Sequence, residues 1–550
     1  MRLDTAVITK TDAGEVDSLD KRVLIIGNGS CARRISQNLI NRGIDVVVAS
    51  RTPDIDPALS SGAQPQHSGF LEVLTGHEVM ACQGFIGHFD LVFKSAGQQV
   101  NRSTSLVIIA EDYERKPNFD QYGLNPSAQI WSLSQIKESK NQPPLFKDKR
   151  SKGTKILFIS GLTKESDPVI HEDVMRTALR LQSNNAQSYI FTGNLKVSGN
   201  GLEVLSRDLK RAGAVISKFT DQPPQMRQNI QGGLEIEYLD EVTQQRFRFL
   251  PDITVVDDTI YPSNYLHHLS DVFDLDTDPV GFLQPDNVHR IPAYTNRKGI
   301  LVAGPSKAAL SVDDQMVDAD STALSAIALL YGAFRPTPYP AEIDNGKCTR
   351  CLTCLRLCPH HAIFWDAKLN VNPEACEGCG LCASECPAIA IRQQKLQATM
   401  IHQVCWRRSK QNDPASPAIV AFCCSRSAAQ SAGLARCMGH RLPPGLSVLE
   451  VPCACSISIE YLLASFDHRV EGVLVMVCHD GNCYSGKGSY FARNRVNRIA
   501  AFLEHTRLSG KRIEIHSLAS NMGREFSLIA DRFAKRLIAM GPAYPMMGKQ

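Results

Sequence analysis

Eight of the eighteen cysteines in this 550-residue chain fall between Cys348 and Cys386, in two copies of one spacing, CTRCLTCLRLCP and CEGCGLCASECP. Each copy reads Cys-x2-Cys-x2-Cys-x3-Cys-Pro: Cys348, Cys351, Cys354 and Cys358, then Cys376, Cys379, Cys382 and Cys386. Three thiolates at i, i+3 and i+6 wrap one corner of a cuboidal cluster, and the fourth, set off by proline, reaches the neighbouring one. The pattern predicts one [4Fe-4S] cluster on Cys348, Cys351, Cys354 and Cys386, and a second on Cys376, Cys379, Cys382 and Cys358. Paired CxxC also makes four-thiolate zinc sites, and secreted chains use cysteines for disulfides. Two tandem runs each closed by Cys-Pro argue against both. Such a pair moves electrons one at a time.

The length implies roughly three or four domains. The N-terminus, MRLDTAVITKTDAGEVDSLDK, is polar and acidic where a signal peptide would be basic and then apolar. No uninterrupted run of about 18 apolar residues occurs. The expectation is a cytoplasmic protein that sits on the inner face of a membrane only through partners. A formal charge of +4 over this length is no footprint for nucleic acid.

Residues 1–20 read as a tail. KRVLIIGNGSCARRISQNLINRGIDVVVASR then runs strand, glycine turn, helix and strand, with Ala32, Ile35, Leu39 and Ile40 on one helix face: a βαβ unit. Residues 69–130 look strand-rich. A second α/β segment opens at KILFISG, includes SYIFTG, and closes with ITVVDD and GILVAG. A ferredoxin-type α+β insert spans 338–395 and a polar linker 396–417. From 418 to 550 the strands AIVAFCC, LSVLEVPC, GVLVMVC and RIEIHSL alternate with helices near 458–467, 489–508 and 523–540, which predicts a doubly wound parallel sheet. The cysteine pair is the only internal duplication apparent.

Gly27-Asn28-Gly29-Ser30-Cys31-Ala32 fits G-x-G-x-x-A, in which glycines let the backbone approach a pyrophosphate at a helix N-terminus. The second strand ends in Ser50 and Arg51, where a carboxylate would take ribose hydroxyls. The turn therefore either holds a nucleotide or survives as a packing scaffold.

In the last segment Cys423 and Cys424 end one strand, Cys453 and Cys455 follow the next, and Cys478 ends a third, five residues before Cys483. Carboxyl ends of adjacent parallel strands converge on one crevice. A metal or small cluster, [2Fe-2S] favoured over zinc, is expected on Cys423 or Cys424 with Cys453, Cys478 and Cys483; Cys437 and Cys455 stand in reserve. The bland alternative is that these cysteines fill core space.

VPCACSISIEYLLASF and GVLVMVCHDGNCYSGKGSYFARNRVNRIAAFLE resemble the delta subunit of methyl-viologen-reducing hydrogenase, an electron-transfer module. Cys453, Cys478 and Cys483 carry the match. Residues 21–337 resemble the A component of heterodisulfide reductase through GNGSCA, LEVLTGHEVMACQGFIGHFDLVF, LVIIAEDYERKPNFDQYGL and GILVAGPSKAALSVDDQMVDA. That resemblance implies a Rossmann-like, two-dinucleotide-binding flavoprotein fold, with FAD lined by Gly27, Gly29, Ala32 and the Gly304 turn. The order of modules is similar to the B component of the quinone-interacting membrane-bound oxidoreductase (Qmo) complex. Three departures stand out: Ala110-Glu111-Asp112 replaces the Ala-Thr-Gly beside the flavin, Ser50 replaces an acidic residue, and the N-terminal cysteine insert is absent.

The resulting expectation is an oxidoreductase subunit that relays electrons between a C-terminal centre, two [4Fe-4S] clusters, and partner subunits or a bound flavin. Its partners would be other subunits of a redox complex, including a membrane-anchored quinone-interacting one, and a donor or acceptor enzyme. The alternatives are a subunit whose own FAD splits or joins electron pairs, and a cluster-bearing assembly scaffold with a degenerate flavin site. No catalytic residue is assigned.

Overall fold

The computed structural model describes residues 20–53, 69–95, 97–137, 153–183, 186–199, 201–220, 222–241, 243–283, 287, 289–290, 292–331, 339–393, 396, 401–405, 416–506 and 508–544. All but the last residue of the expected tail, and most of the expected linker, lie outside the described residues.

The first unit is a five-stranded parallel sheet in the order Ile300–Val302, Leu106–Ile109, Arg22–Ile26, Asp45–Ser50, Leu71–Thr75. Its strands are near-continuous apolar runs because both faces are covered. Helix Ser30–Ile40 buries Cys31, Ala32, Ile35, Ser36 and Leu39 and packs beside helix Val312–Leu330. A three-stranded antiparallel sheet, Glu78–Phe85, His88–Ser95 and Gln98–Thr104, lies between the third and fourth strands in chain order.

The second unit, inserted into the first, repeats this plan. Its parallel sheet runs Ile130–Ser132, Ile253–Val256, Lys155–Ser160, Gln187–Thr192, Val215–Lys218, and an antiparallel trio, Gln225–Gln228, Leu234–Leu239 and Arg246–Phe249, occupies the same place. Two crossing strands, Glu114–Pro117 and Asp258–Tyr261, join the units. This is the two-dinucleotide-binding architecture. It also corrects two expectations: the cysteine pair is not the only duplication, and the GILVAG strand belongs to the first sheet, beside Leu106–Ile109.

The ferredoxin-like segment is small: antiparallel pairs Ala341–Ile343 with Ile391–Gln393 and Ile363–Asp366 with Lys368–Val371, plus helices Thr353–Leu357 and Leu381–Ser384. Its cysteines make up much of its interior.

The last unit is a four-stranded parallel sheet in the order Leu446–Val451, Ile419–Cys424, Gly472–Val477, Ile513–Ser517. Helices Ile459–Asp467 and Gly488–Glu504 cover one face. Helix Gly523–Met540 and the Ala-rich helix Ala428–Cys437, which the sequence reading passes over, cover the other. Leu396, Ile401 and Cys405, from the stretch read as linker, are buried in this unit's core. Among the described residues, no helix is long and apolar enough to cross a membrane.

Candidate metal centres

The two cysteine repeats fold as near copies. Arg350, Leu352 and His361 take positive φ of 56°, 59° and 51°, and their counterparts Gly378, Gly380 and Ile389 take 62°, 81° and 50°. These left-handed residues, costly when they are not glycine, bend the loops so that amides face sulfur. Arg350 N donates to Cys348 Sγ at 3.4 Å, Ala362 N to Cys358 Sγ at 3.4 Å and Ala390 N to Cys386 Sγ at 3.3 Å. Such bonds favour the thiolate.

Each expected set of four lines its own cavity. Cys348, Cys351, Cys354 and Cys386 line one, and Cys358, Cys376, Cys379 and Cys382 the other. Burial pushes Cys358 up to about 11, with Cys379 and Cys376 as further thiols beside it. Burial likewise raises Cys382, against Cys379, Cys358 and Cys376. Thiols held together against their own repulsion are a donor set that a cation relieves. The first set reaches the surface through the exposed Cys351; the second is turned toward the C-terminal unit.

In that unit, the chain order 2-1-3-4 puts a topological switch point between the first and third strands, where doubly wound folds bind ligands. Cys424 closes the first strand and Cys478 follows the third. Strand alternation decides between the neighbours at the first strand's end. Cys423 points to the opposite face, into the core with Ala421, Leu474, Met476 and Phe526, where burial raises its thiol. Cys424 faces the crevice, its Sγ 3.6 Å from that of Cys478. Of the two alternatives, Cys424 is the one that lies at the crevice and Cys423 the one that lies in the core.

Cys424, Cys453, Cys483 and Cys478 are buried together as a ring of thiols at the crevice, in one cluster with Cys455. The neighbouring thiols hold Cys424 and Cys483 well below the usual thiol range and push Cys453 and Cys478 above it. Amides of Ser489 and Ser485 add to Cys483. Two thiolates on one tetrahedral ion, at metal–sulfur distances of about 2.3 Å, lie roughly 3.8 Å apart. The 3.6 Å pair fits that spacing. Gly488 is glycine for want of room: a Cβ there would meet Cys453 Sγ at 2.9 Å and Cys483 Sγ at 3.0 Å. Cys437, exposed at the end of its helix, lies apart from the ring.

Two residues the sequence reading left out or kept in reserve tie this ring to the ferredoxin-like segment. Cys455 lies in the turn Ala454–Ser456 with its Sγ 3.3 Å from Cys379 O. Arg495, its side chain 4% exposed, donates from Nη2 to Glu385 Oε1 (2.5 Å) and Ser384 Oγ (2.7 Å), and from Nη1 to the carbonyls of Cys455 (2.8 Å) and Ile457 (2.9 Å). Nothing in their spacing announces contacts some 76 and 110 positions away.

The glycine turn tells a different story. Gly27 is needed for packing alone, because a Cβ there would lie 2.2 Å from Ala110 O. A Cβ on Gly29 would lie 2.5 Å from Asp112 Oδ2, so a carboxylate rests on the backbone meant for pyrophosphate. Ala32 is buried in its helix, and at Gly304 a Cβ would lie 2.6 Å from Cys31 Sγ. Burial raises Asp112 and, with Asp112 beside it, pushes Glu111 up to about 7. The second unit is closed in the same way: Asp257, after the matching strand, accepts from Gly161 N at 2.8 Å. As arranged, these residues do not fit a dinucleotide pyrophosphate.

Residues 347–390 match the 4Fe-4S dicluster domain model, and residues 419–541 match that of the methyl-viologen-reducing hydrogenase delta subunit. The A component of ferredoxin:CoB-CoM heterodisulfide reductase from Methanosarcina mazei is 25% identical over 294 residues, 53% of this chain and 37% of that protein. The iron-sulfur D component of F420-non-reducing hydrogenase from Archaeoglobus profundus is 25% identical over 126 residues, 23% of this chain and 92% of that one. Among solved structures, T. acidophilum thioredoxin reductase overlays with a TM-score of 0.37 at 14% identity, across 57% of this chain and 99% of that chain. The chain spans little more than a third of the heterodisulfide reductase component it matches. It is a fusion of a heterodisulfide reductase A-like part, a 4Fe-4S dicluster domain and a hydrogenase delta-like domain.

Proposed function

We propose that this chain is a cytoplasmic iron–sulfur electron-transfer subunit of a heterodisulfide-reductase-like or Qmo-like complex. In this reading Cys348, Cys351, Cys354 and Cys386 hold one [4Fe-4S] cluster, and Cys376, Cys379, Cys382 and Cys358 a second. Cys424, Cys453, Cys478 and Cys483 hold a [2Fe-2S] or other metal centre. Bound clusters supply one-electron storage; the chain's own residues set position, exposure and charge around it. The observation that carries the reading is the continuity of three four-thiol sets, from exposed Cys351 inward to the buried ring. Cys351 is the outward face, where a donor or acceptor enzyme would dock. Relatives named as components of heterodisulfide reductase and hydrogenase support companion subunits for this chain; a membrane-anchored quinone-interacting subunit is proposed among them on the order of the modules alone.

The two Rossmann-like units serve this relay as a rigid base. Their crevices are filled by Asp112 and Asp257, so no step of the proposed relay passes through flavin. They bear on the relay at its seams: Lys298 Nζ lies 3.4 Å from Glu377 Oε1, Asn287 Nδ2 donates to Cys483 O at 3.3 Å, and Arg290 Nη2 to Tyr484 O at 3.1 Å.

A Cys351→Ser variant separates relay from scaffold. In the assembled complex a relay predicts that turnover falls by about 10-fold or more with assembly preserved, the scale on which perturbing a metal site acts. A scaffold predicts turnover intact, which would sink the proposal.

A further inference from the structure

The second ferredoxin-like set and the C-terminal ring are each complete with four thiols, yet a ninth thiol lies between them. Cys455 is fully buried. Its Sγ donates to the carbonyl oxygen of Cys379 at 3.3 Å on one side, and on the other it is buried in one cluster with Cys453, Cys424, Cys478 and Cys483. Its position is held from both domains: its carbonyl accepts from Ser384 Oγ at 2.6 Å and from Arg495 Nη1 at 2.8 Å. Ser384 sits between Cys382 and Cys386, so the clamp that seats Cys455 also seats the ferredoxin-like cysteines. The contact is close enough that Gly380 admits no side chain, since a Cβ there would lie 2.5 Å from Ser456 Cβ.

We infer that Cys455 is a positioning residue that bridges the two centres, its S–H on Cys379 O and its side chain packed among the ring thiols as the contact through which they exchange electrons. The inference rests on the reading that both sets hold iron–sulfur centres. In each exchange one electron leaves one centre and reduces the other, while the Cys455 S–H bond stays intact and no proton or leaving group moves. An S–H held on the carbonyl of a ligand residue is an outer contact that orients that ligand and tunes the reduction potential of the centre it holds. A core-filling cysteine would have no such effect, and a metal ligand would be indispensable for iron.

The test uses the full chain, purified and reconstituted without oxygen, as wild type, Cys455→Ala and Cys455→Ser. Iron content, the EPR-monitored reductive titration, and the rate of electron exchange between the two centres are measured. The expected result is unchanged iron in both variants. In Cys455→Ala, the midpoint of the centre on Cys358, Cys376, Cys379 and Cys382 shifts, and exchange slows by about 10-fold; Cys455→Ser, which keeps a donor, recovers both. Iron loss in the variants overturns the inference by making Cys455 a ligand. Unchanged midpoint and rate in Cys455→Ala overturn it by making the residue filler. A wild-type chain without iron at either set instead defeats the parent reading.

Discussion

At Cys423 and Cys424 one peptide unit separates a core residue from a candidate ligand, because successive side chains on a strand face opposite ways. Cys424→Ala removes one member of the four-thiol ring and is expected to strip the C-terminal centre's metal. Cys423→Ala is expected to leave metal content unchanged and to cost on the order of 1 kcal/mol of stability; metal analysis and urea unfolding of the two variants check both. The spacing placed all eight ferredoxin-type cysteines in their cavities, since a loop motif carries its own geometry. It left Cys423 and Cys424 open, since parity on a strand is set only by what covers each face. Glu111 makes a second residue-scale case. Its proton is held to about pH 7 in the fold but lost near 4.5 in the unfolded chain, so its contribution to stability falls as pH rises through that window. Glu111→Gln is expected to stabilise the chain by about 3 kcal/mol at pH 8 relative to wild type, and to change little at pH 4, as read by thermal unfolding at the two pH values.

Among elements, the helices Leu381–Ser384 and Gly488–Glu504 decide how the ferredoxin-like segment meets the C-terminal unit. Arg495 on the second helix reaches Glu385, just past the end of the first, and also satisfies two carbonyls. Arg495→Met leaves Glu385 without its guanidinium and the carbonyls of Cys455 and Ile457 without that donor. The expected cost is about 1–3 kcal/mol, seen as a lower unfolding midpoint. Arg495→Lys is expected to recover little, because an ammonium cannot span the carboxylate and two carbonyls as the planar guanidinium does. Of these elements the strands were the most legible, as apolar runs bounded by turn residues. Helix Ala428–Cys437 was not, because its buried stripe is mostly alanine and serine and shows weak periodicity. Arg495 reads in sequence as one more base on a basic helix; its partners lie in another domain.

For the molecule as a whole, two Rossmann-like units, a small cysteine-lined domain and a doubly wound domain meet around the thiol sets. The glycine turn made the first unit legible, but the second carries no such turn, so the duplication emerged only from matching strand orders. Asp112 was visible as an acidic departure from the related pattern; that its carboxylate rests on Gly29, and that Asp257 does the same work in the second unit, required the fold. Whether three thiol sets hold iron in one chain is decided by counting iron and acid-labile sulfide. The anaerobically reconstituted chain is expected to hold about ten irons, two [4Fe-4S] clusters and one [2Fe-2S], falling to about eight when Cys453 and Cys483 are both replaced by alanine. Fewer than about eight irons in the wild-type chain, or no fall in the double variant, would contradict it.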